Sequence, residues 1–162
     1  MRTSVWRRLD RSLTLVTNSP PSQRNYLAGA FLLVPDALAC ATTALSLHGL
    51  RAGGLPIEVT SAADTHLTHR QWLRLRRFDY DRDAATEVDG FAVVGIIDAL
   101  VSSSYSLGVE ESTQLALRAV ALRKCTADDL ADAVRSSRQP TARATTGIRS
   151  PDGAPCDSAG WR

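Results

Sequence analysis

"ATTALSLHGLRAGGLPIEVTS", residues 41–61, changes period half-way along, and that change decides the fold class. In its first half Ala41, Ala44, Leu45 and His48 share one face, with Leu47 beside it, the spacing of a helix. Gly49 stands where a left-handed residue is needed after a helix, and Leu50 follows to make the apolar contact of a Schellman stop. Pro56 then introduces "IEVTS", in which Ile57 and Val59 point to one side as strand residues do. Helix and strand in immediate succession predict an α+β domain.

Upstream, "VWRRLDRSLTLV" (5–16) alternates loosely and predicts one or two short basic strands. "NSPPSQ" reads as a turn with Ser19 as N-cap and Pro20 in the first helical position. Tyr26, Leu27, Ala30, Phe31 and Val34 predict a helix over 20–34, closed by Pro35. Downstream, "QWLRLRRFDY" (71–80) sets Leu73 and Leu75 opposite Arg74 and Arg76, which predicts a strand over 72–79 with a basic outer face. Asp89-Gly90 between β-prone runs is a hairpin signal. Ile96, Ile97, Leu100 and Val101 predict a helix over 95–104, and Leu115, Ala119 and Leu122 a longer one over 109–124. Thr126, with Asp129 three residues on, opens a last helix to about Ser136.

The expected architecture is therefore a small mixed or antiparallel sheet from the 57–61, 72–79 and 86–94 strands, packed with four to five helices. Residues 1–17 form a wing-like basic segment, 18–137 the body, and 138–162 a Pro-, Thr-, Gly- and Arg-rich tail without period that reads as disordered.

The chain has 162 residues and net charge +2, but the charge is divided: +4 over residues 1–28, −4 over 29–137 and +2 over 138–162. A mildly acidic body with basic ends suits a protein partner for the body and nucleic acid for an end. Of 19 basic residues only Lys124 is lysine, a bias that GC-rich coding explains before phosphate recognition does. Cys40, Cys125 and Cys156 are odd in number and far apart, which argues for a reducing compartment rather than a disulfide framework. The N-terminus lacks an apolar signal core, and the longest apolar run, nine residues from Tyr26, is too short to span a membrane. A cytoplasmic protein is expected.

Candidate chemistry is sparse. Cys40 and His48, eight residues apart on one helix, would stand roughly 12 Å apart, too far for a nucleophile and its base. Asp64, His66 and His69 offer an H-x-x-H pair without a third firm ligand, so no metal site is assigned. Asp79, Asp81 and Asp83 imitate the start of a calcium loop, but Ala84 and Gly90 occupy the positions that need glycine and glutamate. No phosphate loop, nucleophile elbow or dinucleotide fingerprint is present, and no cofactor is expected. Arg74, Arg76 and Arg77 are candidates for phosphate contact, against the plainer reading of a solvated strand face.

The order of these pieces resembles the AbiEi-like family of type IV toxin–antitoxin antitoxins and transcriptional regulators, whose middle domain also precedes very-short-patch-repair-like nucleases. Over residues 5–136 the resemblance rests on the "VWRRLDRSLTLV" wing-like strand, the Thr43, Ala44, Leu47, His48 and Gly49 helix motif, "PIEVTS", the Asp89-Gly90 turn and Asp98 in "IIDAL". It implies a non-enzymatic regulator with a nucleotidyltransferase-type toxin and promoter DNA as partners. In the wing, Trp6, Arg7, Arg8 and Arg11 would contact the DNA backbone, positioning rather than specifying. Family members place a winged helix, recognition helix included, before the wing, whereas here Met1 falls almost at the wing strand. The segment after Asp89-Gly90 also lacks the family's Arg. These departures lead us to expect a truncated or frameshifted member. The alternative is an inactive N-terminal fragment of the nuclease-bearing relatives, and a third reading is a scaffold with a partner of its own.

Overall fold

The computed structural model describes residues 5–62, 70–78 and 80–138. The chain is α+β, with seven strands and five helices among the described residues. Strands β1 (Val5–Arg8) and β2 (Thr14–Thr17) form an antiparallel hairpin of their own, with Trp6 opposite Val16. Helix α1 follows at Gln23–Leu33, three residues later than the sequence predicts. Ser22 and Asn25 cap it reciprocally, each side chain accepting from the other's backbone N–H. That double satisfaction outcompetes Ser19, whose N–H and hydroxyl turn instead to Thr17.

The main sheet has the order β5-β4-β3-β7-β6. Its centre, β3, is only Leu38–Ala39, and it pairs antiparallel with β4 (Ile57–Thr60) and parallel with β7 (Phe91–Val93). Strand β5 (Leu73–Leu75) lies parallel to β4, and β6 (Thr86–Val88) closes the far edge as a hairpin with β7. The hairpin turn is Asp89-Gly90, at φ +55° and +83°, the left-handed pair that the two-residue turn requires. Of the mixed or antiparallel sheet expected from sequence, the mixed form is present, but β3, which joins its two halves, is too short to leave a period.

Helix α2 (Ala41–Leu47) packs on β4 and on α3 (Ile96–Ser104), and α4 (Val109–Ala121) and α5 (Ala127–Arg138) pack on α3. The stop of α2 follows the sequence reading. Gly49 takes φ +76°, its N–H reaches the Ser46 carbonyl, and the Leu50 N–H reaches that of Leu45. Thr126 and Asp129 cap α5 reciprocally as expected. Leu115 and Ala119 are buried but Leu122 is not, because α4 ends with Leu122 as its C-cap and Arg123 at φ +53°. The core runs from Leu27, Ala30 and Val34 through Ala39, Leu45, Ile57, Val59 and Val93 to Ala99 and Leu115. No helix of the described residues is long and apolar enough to cross a membrane.

Two strand expectations are corrected. Strand β4 alternates in sequence but not in burial: Glu58 and Thr60 are buried along with Ile57 and Val59, and Thr42 of α2 bonds the Glu58 carboxylate. Among the described residues of the 72–79 strand, only Leu73–Leu75 pair as strand, and its basic side is only partly solvated: Arg74, half exposed, pairs in register with Glu58, and Arg76 turns to the same carboxylate.

The β1–β2 hairpin is seated on the body at Gly29, buried in the middle of α1. A Cβ placed there would lie 3.0 Å from Leu13 Cδ1, 3.6 Å from Trp72 Cη2 and 3.9 Å from Leu9 Cδ1. The missing side chain is the room that the hairpin turn fills. Gly29→Leu is expected to destabilise the fold by about 1–3 kcal/mol and to raise amide hydrogen exchange across residues 5–17 in particular. Unchanged exchange in the hairpin would rule this seat out.

Candidate functional site

The hairpin carries the residues that sequence assigns to DNA. Trp6 is 74% exposed and stands opposite Val16, itself 52% exposed, so the outer face bears an apolar pair. Arg7, Arg8 and Arg11 are exposed around it. Arg8 is committed to its own turn, where Nε and Nη2 donate to the Asp10 and Arg11 carbonyls at 3.2 and 3.3 Å. Asp10 fixes the turn to the body through an ion pair with Arg70. The side-chain hydrogen bond from Arg70, and then the Arg11 N–H, hold the Asp10 carboxyl below its usual range. The result is a basic hairpin gripped on its inner side by Leu9, Asp10 and Leu13, with Trp6 directed to solvent.

The second site centres on Glu58, which sequence reading passed over as the polar half of an alternating strand. It is 2% exposed. Its Oε2 accepts from the Thr42 N–H at 3.0 Å and from the Thr42 hydroxyl at 2.5 Å. Its Oε1 accepts from Arg76 Nε and Nη2 at 2.9 and 2.5 Å. The Glu58 backbone N–H donates to Thr43 Oγ1 at 2.8 Å. Burial pushes the carboxyl pKa up, but the bonds from Thr42 and Arg76 more than offset it, and the group ends below its ordinary value. Arg74 approaches the same oxygen at 3.6 Å with its side chain 52% exposed, while Arg77 lies exposed further along. Of the three arginines assigned to phosphate, Arg76 is thus already bound to a carboxylate.

Cys40 and His48 sit at opposite ends of α2, as N-cap and C-cap. His48 Nε2 donates to the Val94 carbonyl at 2.9 Å, which ties the helix end to the strand side of the sheet. Burial raises the Cys40 thiol pKa to about 12. The buried Tyr80 hydroxyl beside it makes no well-formed hydrogen bond among the described residues, and burial likewise raises its pKa. Asp98 lies in the first turn of α3, its pKa raised by burial and then by Asp81. Thr43, Ala44, Leu47, Gly49, Asp89 and Gly90 do structural work in α2 and in the two turns. Asp64, His66, His69, Asp79 and the 139–162 tail lie outside the described residues.

Both centres give measurable expectations. The Glu58 carboxyl is lowered on folding, so its contribution is complete above the unfolded value of 4.5 and is lost as pH falls through the folded value. Stability measured by denaturant unfolding should therefore fall below pH 4.5 in the natural chain more steeply than in Glu58→Gln; parallel curves would remove Glu58 as the cause. At neutral pH, Glu58→Ala should cost on the order of 3 kcal/mol by stranding Arg76. In native protein, mass spectrometry after alkylation should find Cys40 unmodified and Cys125 modified, with Cys40 reacting only on unfolding. Rapid native labelling of Cys40 would contradict its inert, buried state.

Compared with known proteins, the chain matches no protein-family model, no curated protein and no solved structure.

Proposed function

We propose that the chain is a non-enzymatic, antitoxin- or regulator-like binding protein, in which the β1–β2 hairpin contacts nucleic-acid phosphates and the α+β body meets a protein partner. The observation that carries the nucleic-acid half is Trp6, 74% exposed on a basic hairpin whose inner side is fixed to the body at Gly29 and Arg70. A large aromatic surface held in water by an otherwise anchored element has reason to stay there when something stacks or packs on it. Arg7 and Arg11 supply the cations beside it, since Arg8 is spent on its own turn. The +4 charge of residues 1–28 against −4 over 29–137 directs the nucleic acid to this end of the sequence. The partner half rests on the family resemblance, which points to a nucleotidyltransferase-type toxin.

Phosphate contacts without base readout make a definite signature. Fluorescence anisotropy with unrelated duplexes should give similar affinities that weaken steeply with salt. Arg7→Ala and Arg11→Ala should each lower the log–log salt slope by about 1, and Trp6→Ala should weaken every duplex alike. Absence of binding at about 50 mM salt, or variants indistinguishable from the natural chain, would refute the hairpin as the contact.

A further inference from the structure

The segment 50–56 between α2 and β4 walls a cleft of about 200 Å³, lined by Gln23, Thr42, Arg51, Leu55, Glu58 and Arg74 among others. It is smaller than the roughly 300–1,000 Å³ of sites for drug-sized ligands, and it is polar at its base. Its charges do not balance. The Glu58 carboxylate is already satisfied on both oxygens by Thr42 and Arg76. Arg74 Nη1, at 3.6 Å from Oε1, is beyond hydrogen-bond distance, which leaves its donor fork with capacity to spare. Arg51 pairs with Glu111 at 3.4 Å, with the side chains 30% and 50% exposed, and exposed pairs of this kind are weak. Arg51 and Arg74, from different parts of the chain, therefore both line one small cleft in which Glu58, the lining carboxylate among the described residues, is spent.

We infer that this cleft binds a phosphate group, free or as the terminal phosphate of a small metabolite, between Arg74 and Arg51. One planar carboxylate is satisfied by a single arginine fork, whereas a tetrahedral phosphate has oxygens for forks on two walls. Leu55, Pro56 and Leu107 add apolar lining for whatever carries the phosphate. The site lies in the body and is independent of the nucleic-acid reading of the hairpin.

The test titrates inorganic phosphate, and separately adenosine monophosphate, into the full chain at constant ionic strength while amide shifts are followed by NMR. Saturable shifts at Thr42, Thr43, Gly54 and Arg74 are expected, with Kd on the order of 1 mM. Arg74→Gln and Arg51→Gln should each weaken binding about tenfold and leave the remaining amide spectrum in place, which also confirms that each variant folds. Equal affinities for the two probes would mark free phosphate as the ligand, and tighter binding of adenosine monophosphate a phosphorylated metabolite. Linear, non-saturating shifts up to about 20 mM, or saturation unchanged in both variants, would overturn the assignment.

Discussion

A single buried carboxylate holds three elements of this protein in register. Glu58 lies on β4, receives the first turn of α2 through both donors of Thr42, and receives the segment leaving β5 through the fork of Arg76. A buried charge is tolerated only when its partners are all in place, because an ion taken from water without them costs several kcal/mol. The arrangement is therefore close to all-or-none. Helix α2 cannot shift along β4, nor the end of β5 swing outward, without stranding Glu58. The same demand draws Arg76 inward, while Arg74, its neighbour but one on that side of the sheet, is left at the mouth of the cleft.

Around that anchor the sheet depends on a strand of two residues. Leu38 and Ala39 pair with β4 on one side, and Ala39 with β7 on the other, so the β4–β5 and β6–β7 pairs become one sheet only through them. So short a strand adds little pairing of its own, and burial supplies what the ladder does not. Leu38, Ala39, Cys40 and Ala41 are all at most 6% exposed. The chain then turns from strand to helix at Ala41 with φ +46°, a left-handed conformation that costs a non-glycine residue free energy. The surrounding contacts, Thr42 to Glu58 and the Ala44 N–H to the Cys40 carbonyl, hold it there.

The hairpin shows a different economy. Among the described residues it shares no hydrogen-bonded ladder with the main sheet, and its position is set by packing into the gap over Gly29 and by the Asp10–Arg70 pair. Glycine in a helix interior weakens the helix locally, so the gap it leaves must be worth that loss in packing elsewhere. Tyr26 and Phe31, on the same helix, extend the contact to Trp72 and Phe91, with ring centroids 5.5 and 5.3 Å apart. One helix thus contacts both the basic hairpin and strand β7 of the sheet.

What the sequence determined by itself was local. The α2 stop at Gly49, the Asp89-Gly90 turn, the Thr126–Asp129 cap and the helical stripes of α3 to α5 are set by residues within a few positions of one another, where propensity and capping decide. Tertiary structure decided the rest. Strand β3 is too short to carry a period, and the start of α1 was a contest between two caps that reciprocal bonding settled at Ser22. Alternation along β4 places Glu58 on the side opposite Ile57 and Val59 and no more, because a two-fold period records only which residues share a face. Whether that face meets water depends on a helix packed over it and on an arginine 18 residues away. The Glu58 centre and the cleft beside it arise from that covering, and for that reason only the folded chain reveals them.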